Sequence, residues 1–256
     1  MGTTLTFLGI ASAVPDAGED TSSFLVNEEL LFDCGWANVL QMRALGYDPL
    51  RVQTLFFTHC HHDHYLGLPA LLFYRAMKSA SPAPLTLIGP ADDLPLVVKR
   101  AISFLQAERF APIHQELRLV TLEPGATWQN ERYEIQTIRA LHPVSGFCGR
   151  LLDQQSGVVI AFSGDTAFNP ALSQLARGAD LLIHEASVPP QHNKSNDHSS
   201  AADAARIARE ADVQMLRLVH AVAAYREASL SEAQAIFPRA ELAAMGETLT
   251  WPMPQG

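Results

Sequence analysis

The stretch "FFTHCHHDHYLGLPALL" (Phe56–Leu72) places four histidines and an aspartate in the six positions from His59 to His64, between two apolar runs. A packed core does not accept that much unpartnered imidazole, and a solvated loop has no use for it. The pattern His59-x-His61-x-Asp63-His64 leaves an apolar strand and turns into a segment with helical periodicity. With a period of two, His59 and His61 point the same way and can bind one metal ion. Asp63 and His64, past the turn, reach toward a second position, about 3.5–4 Å off in two-metal hydrolytic sites. Imidazole and carboxylate together suit Zn2+, Mn2+ or Fe, and ligation without cysteine disfavours a structural zinc. Alternation sends the Cys60 side chain away from those of His59 and His61. A surface histidine tract is the bland alternative, and the intervening aspartate and apolar flanks argue against it.

The remaining composition narrows the classes. A formal charge of −9 on 256 residues argues against a broad nucleic-acid-binding surface, which carries a basic footprint, and leaves room only for a local basic patch made by folding. Lys and Arg are scattered, with only short pairs such as Lys99-Arg100. The longest apolar runs are too short to cross a membrane. The start, "MGTTLTFLGI", has no basic segment ahead of a long apolar stretch, so no secretory signal and a cytoplasmic location are expected. Cys34, Cys60 and Cys148 are odd in number and widely spaced, which is no disulfide framework and suits a reducing compartment.

Along the chain, strands and helices alternate with no low-complexity segment and no internal repeat of useful length. Thr3 to Gly9 reads as a strand, and "SFLVNEELLFDCG" as a hairpin turning at Asn27-Glu28-Glu29. "VQTLFFTH" is a buried strand that ends on the histidine cluster, and "GLPALLFYRAMKSA" is a helix stopped by Pro82 and Pro84. "PLTLIGP" is a strand and "DDLPLVVKRAISFLQ" a helix. In the second half "RYEIQTIRALH", "GVVIAFSGDT", "ADLLIHEAS" and "VQMLRLVHA" are strands. "NPALSQLARG" and "SSAADAARIAREA" are helices, the latter with a capping box from Ser200 and Asp203. Near the C-terminus "SEAQAIFP" is helical and "LAAMGETLTW" extended.

Ligand-type residues fall at strand ends: His59, His142, Asp165, His184-Glu185 and His220. Strand ends along one sheet edge converge, so this layout builds a single rim of His and Asp. A lone histidine at a strand end is ordinarily a hydrogen-bonded core residue, but here the set is complementary. His142 serves the first ion, His220 the second, and Asp165 lies between them, with Gly164 letting the backbone approach closely. Two β-rich halves, each covered by helices, predict an α/β four-layer αββα sandwich with mixed sheets, in one domain spanning residues 1–256.

At this point the chain resembles the metallo-β-lactamase superfamily of dinuclear hydrolases, most closely its ribonuclease Z-like branch. That branch includes tRNA 3′-processing endonucleases, phosphodiesterases and arylsulfatase relatives. The likeness is carried by "TFLGIASAVP", "LLFDCG", "FFTHCHHDHYLGLPALL", "LTLIGP", "FSGDT", "LLIHEAS", "DHSSAADAARIAREA" and "LRLVHA", from Thr6 to Ala221. It implies that His59, His61, His142 and Asp165 hold metal one, and that Asp63, His64, Asp165 and His220 hold metal two. A hydroxide between two divalent ions, zinc first with manganese or iron as substitutes, is the implied nucleophile, oriented by Asp63. Glu185 and His198 stand where the branch carries a relay that protonates the leaving oxygen. His62 is expected in solvent or behind the ligands, His184 packed or hydrogen-bonded behind them, His114 and His192 on the surface, and Asp33 behind a ligand imidazole or in a plain turn role.

Three departures from the branch point away from tRNA. The loop after "AVP" reads "DAGEDTSS" (Asp16–Ser23), whose acidity is expected to repel phosphate. Only 22 residues separate His142 from Asp165, where the tRNA-gripping arm is usually inserted. After His220 the chain reads "HAVAAYREA", with Ala223 and Ala224 in place of a Ser and an Arg, and Arg226 displaced past Tyr225. The expected function is a hydrolase of small phosphodiesters. An aryl sulfate, lactone or other carboxylic ester is the alternative substrate, and a non-catalytic metal-binding scaffold a third reading. Relatives in the branch are often dimers, and the helix from Gly67 to Ala80 offers an apolar face for a homodimer.

Overall fold

The computed structural model describes residues 2–110, 115–190, 192 and 195–252; His114 therefore lies outside the described residues. The N-terminal pattern forms β1 (Thr3–Gly9) and the hairpin of β2 (Ser23–Val26) and β3 (Leu30–Phe32). Asn27 and Glu28 turn it with φ of 50° and 62°, the left-handed backbone that tight hairpins require. Next come α1 (Asn38–Ala44), β4 (Thr54–Phe56), α2 (His62–Tyr65), α3 (Leu68–Lys78), β5 (Leu85–Pro90), α4 (Leu94–Phe104) and β6 (Leu117–Leu122). Strands β3 to β6 run parallel, and β14 (Thr248–Trp251) closes the other edge on β1.

The second sheet contains β7 (Thr127–Gln129), β8 (Tyr133–Arg139), β9 (Phe147–Asp153), β10 (Val159–Phe162), β11 (Leu181–Glu185), β12 (Leu216–Val219) and β13 (Ala240–Leu242), in that order across the sheet. Strands β7 to β10 are antiparallel and β10 to β13 parallel. Helices α5 (Pro170–Leu175), α6 (Ala201–Glu210) and α7 (Arg226–Gln234) follow strands of this sheet. Both sheets thus share one plan, antiparallel strands first and parallel strands after, although no residue repeat betrays it.

Alternation along the strands sets the layers. Leu30, Phe32 and Phe56 face Ile135, Phe147 and Phe162 of the other sheet, with the Phe162 ring 5.0 Å from Phe32 and 5.7 Å from Phe56. A side chain at Gly149 would lie 2.2 Å from the Phe162 ring, so that position admits only glycine. Leu31, Leu55 and Leu87 point the other way, onto Leu68, Leu71 and Leu72 of α3 and Val97 and Val98 of α4. On the far side Ala161, Leu182 and Leu218 receive the small face of α6, whose Ser200–Asp203 capping box is formed. The result is helices, sheet, sheet, helices: the expected αββα sandwich with mixed sheets.

Five elements escape the sequence reading, the short β13 among them. β6 and β7 are mostly exposed edge strands without an apolar run, β9 is interrupted by Gly149 and Arg150, and α1 has only two buried residues. The last helix starts at Arg226, five residues ahead of the expected "SEAQAIFP", and ends at Gln234.

At the strand ends opposite the histidine cluster, a polar network ties the sheets together. Arg132 donates to Asp153 at 3.0 Å and to Glu29 at 3.1 Å, and Thr3 donates to Asp153 at 2.8 Å. Burial raises the Asp153 carboxyl, but the hydrogen bonds from Arg132 and Thr3 outweigh it and hold the group below its ordinary value. Asp153→Asn is therefore expected to destabilise the protein by about 2–3 kcal/mol at neutral pH. Because the folded value is depressed, the difference from wild type is full above about pH 5 and shrinks as pH falls below about 4. Urea unfolding of both proteins at several pH values measures it.

Candidate metal centre

Strand β4 is buried on both faces and delivers Thr58 and His59 to the rim, after which α2 begins at His62. His59 Nε2 lies 3.2 Å from His61 Nδ1, and His142 Nε2 lies 2.9 Å from that same His61 nitrogen. Ligand atoms of these three residues fall within 4.8 Å of one another, and so do those of Asp63, His64, Asp165 and His220. Asp165 joins the two groups: its Oδ2 is 3.8 Å from His59 Nε2, 3.6 Å from His64 Nε2 and 3.5 Å from His220 Nε2. All seven candidate ligands from four distant segments therefore meet at one rim.

The imidazoles are held from behind. His64 Nδ1 donates to Asp33 Oδ2 at 2.8 Å, as expected for Asp33, and its buried Nε2 has no hydrogen-bond partner among the described residues. His142 Nδ1 donates to the Asp197 carbonyl at 2.7 Å. Thr58 Oγ1 donates to Asp33 at 2.8 Å and lies 3.2 Å from His59 Nδ1, so Asp33 backs one imidazole of each group. Such contacts fix the tautomer and leave the inward nitrogen with a lone pair for a cation. An orphaned, buried Nε2 facing two carboxylates fits a metal ion better than any protein partner. Asp33 and His220 reach these positions with φ of 54° and 53°, strained for residues with a side chain. At Gly164, φ is +54° and a Cβ would come within 2.8 Å of the Phe147 carbonyl, so only glycine lets Asp165 approach.

The two groups differ electrostatically. Burial first, and neighbouring imidazoles next, push His59 and His61 down, toward the neutral form that binds metal. Burial also opposes charge on His64 and His220, but Asp33 and Asp165 lift the former, and Asp165 and Asp63 the latter. Burial raises the Asp63 and Asp165 carboxyls, and His220 and His64 outweigh it and hold both below the usual range. The second group is thus a site where protons and cations compete for the same atoms.

Beside the centre, His198 Nδ1 lies 3.0 and 3.2 Å from the two oxygens of Glu185 and 3.9 Å from Asp165 Oδ2. Burial lowers this imidazole, but the hydrogen bond and charge of Glu185, then Asp165 and Asp197, push it up to about 9.

A family model described as anti-Pycsar protein Apyc1 matches residues 3–237. The chain belongs to that family. The ribonuclease Z of Brevibacillus brevis (strain 47) is 30% identical to this Apyc1-family chain, across 93% of it and 94% of its own length. That of Geobacillus kaustophilus (strain HTA426) is 29% identical, across 93% and 96%. The crystal structure of the metallo-β-lactamase fold protein YhfI from Bacillus subtilis superposes with a TM-score of 0.82 at 23% identity, over 97% of this chain and 99% of that one. These likenesses put the Apyc1-family chain in the ribonuclease Z-like branch of the metallo-β-lactamase superfamily. It is a metal-dependent hydrolase acting on ester bonds.

The other histidines fall as read: His62 stays at the edge with its ring 5.5 Å from Tyr65, His192 is exposed, and His184 is fully buried against the Glu185 carbonyl. Cys60 packs among the residues under α3, its thiol pushed up to about 12 by burial, away from the ligand groups. The acidic loop needs correction. Asp20 is fully buried and accepts from the backbone N–H groups of Thr21 and Ala37, and Glu19 is paired with Arg226 at 2.8 Å. Only Asp16 of its three carboxylates is exposed, so the loop presents little charge to an anion. The Arg displaced past Tyr225 and the unusual Glu19 neutralise each other. Sequence reasoning missed Thr58 and Ser187; the only signal was a hydroxyl residue within two positions of His59 and Glu185.

Since Asp33 stands behind both His64 and His59, Asp33→Asn is expected to weaken binding of both ions, by about 10–100-fold each. Chelator competition on the zinc-loaded variant measures this, and loss of one ion alone contradicts the shared support.

Proposed function

We propose that this protein is a dinuclear phosphodiesterase acting on small phosphodiesters, with two zinc ions as its resident metals. The observation that carries this reading is Asp165, whose Oδ2 lies within 3.8 Å of imidazoles from both ligand groups. His59, His61, His142 and Asp165 would hold one ion, and Asp63, His64, Asp165 and His220 the other. When bound, such a pair polarises the phosphoryl oxygens and brings the pKa of water to about 7. Manganese or iron fits the same donors.

The chain's own residues supply the rest. Asp63 Oδ2 sits 3.2 Å from both His64 Nε2 and His220 Nε2, where it orients the attacking water. With Nδ1 tied to Glu185, the charged His198 imidazole keeps Nε2–H for the leaving oxygen of the ester. A value lifted to about 9 keeps that proton available at neutral pH, and donation is lost as the pH rises through it. Phe24, Phe162 and Val219 line the floor beneath the site.

The fold also supports a small substrate. The residues between His142 and Asp165 are consumed by β9 and β10, an antiparallel pair inside the sheet, which supports a chain without a tRNA-gripping arm. The inward Asp20 and the paired Glu19 remove the repulsion that had favoured sulfate, lactone or carboxylic esters over phosphate. Leu66 ahead of α3, Phe73 and Met77 on α3, and Phe104 at the end of α4 remain exposed, in keeping with a homodimer through that face. Among the described residues no helix is long and apolar enough to cross a membrane.

Zinc- or manganese-loaded protein is expected to hydrolyse bis(p-nitrophenyl) phosphate, and His61→Ala to abolish that activity. His198→Ala should slow esters with alkyl leaving groups by about 100-fold or more, and p-nitrophenyl esters far less, since a good leaving group needs no proton. Failure of the loaded wild type to exceed the His61→Ala control overturns the reading.

A further inference from the structure

Ser187, two residues beyond Glu185, sits between the leaving-group acid and the last histidine of the metal centre. Its Oγ lies 2.5 Å from Glu185 Oε2, 2.8 Å from His220 Nδ1 and 3.0 Å from the His220 carbonyl. Its backbone N–H also donates to Glu185 Oε2, at 3.3 Å. Nothing in the Glu185–His198 pair or in the two ligand groups requires a hydroxyl there.

The proton order of these contacts follows from the chemistry of the imidazole. His220 turns Nε2 toward Asp63 and Asp165, at 3.2 and 3.5 Å, so a cation bound at that face takes the Nε2 lone pair. The ring proton must then reside on Nδ1, which can only donate. Its acceptor is Ser187 Oγ. The single Ser187 proton is left for an acceptor, and the shortest contact is the Glu185 carboxylate. Glu185 Oε1 in turn receives the Thr166 N–H at 2.7 Å and His198 Nδ1–H at 3.0 Å. Each hydrogen bond in the chain His220, Ser187, Glu185, His198 therefore has one allowed direction once the cation is bound.

We infer that Ser187 is a positioning residue that couples the second ligand group to the leaving-group acid, holding His220 and Glu185 in register through one directed hydroxyl. It rests on the phosphodiesterase reading above. Without the hydroxyl, His220 Nδ1–H loses its acceptor and the imidazole is free to turn or to change tautomer. Glu185 at the same time loses its closest donor, so the orientation of His198 over the leaving oxygen relaxes. Because Ser187 is only half-buried, removal of its hydroxyl leaves no cavity in the core.

The test compares wild type, Ser187→Ala and Ser187→Thr, each zinc-loaded. Chelator competition measures the affinity for both ions, and steady-state kinetics are run on a p-nitrophenyl phosphodiester and an alkyl phosphodiester. Ser187→Ala is expected to weaken one of the two ions by about 10–100-fold and leave the other in place. At saturating zinc it should lower kcat on the alkyl ester about tenfold or more, with KM nearly unchanged and a smaller loss on the p-nitrophenyl ester. Ser187→Thr, which keeps the hydroxyl, should restore both. Weakened metal binding with equal losses on the two esters, kinetic change without any change in metal affinity, or no change in either overturns the coupling. An inactive wild type is a different outcome, since it removes the phosphodiesterase reading itself.

Discussion

The structure turns on one buried carboxylate. Asp165 is 4% exposed, yet its Oδ2 faces imidazole nitrogens from His59, His64 and His220. An unpaired carboxylate at that depth would be expelled or protonated. Here the surrounding imidazoles keep it charged and hold its pKa well below the ordinary range. The converse holds as well: so many buried imidazoles are tolerable only around fixed negative charge or a cation. Metal binding and folding of this rim are therefore parts of one electrostatic problem.

Everything else serves to hold those atoms still. Parallel strands β4, β11 and β12 are buried on both faces, so their ends cannot drift, and Gly149 and Gly164 permit backbone approaches that a side chain would block. Asp33 and His220 accept left-handed backbone to reach their partners. Strain of this kind persists where the surroundings over-determine a position, and both residues are anchored on two sides by hydrogen bonds. A ring of oxygens from Asp33, Thr58, Ser187 and the Asp197 carbonyl then sets the imidazoles.

Much of this was legible in the sequence because the two kinds of signal coincide. Short strands rich in apolar residues marked β4, β10, β11 and β12, and the chemically distinctive residues sit at their ends. The Ser200–Asp203 capping box and the Asn27-Glu28 turn were equally local. What stayed hidden depends on tertiary context. β6 and β7 are edge strands with little to bury, β9 carries a glycine needed by a ring in another strand, and the matching plan of the two sheets involves no shared residues. The loop Asp16–Ser23 looked repulsive because charge is counted by letter, whereas Asp20 faces inward and Glu19 meets an arginine over two hundred residues away. Ser187 was invisible for the same reason: a serine reads as a polar filler until the histidine and the glutamate it touches are both in view.

Two cations are expected to share Asp165. Anomalous diffraction at the zinc edge from crystals of the loaded protein tests it most directly. Two peaks about 3.5–4 Å apart are expected, with the Asp165 carboxylate in contact with both, His59, His61 and His142 around one, and Asp63, His64 and His220 around the other. A single peak, or two that Asp165 does not join, would contradict it.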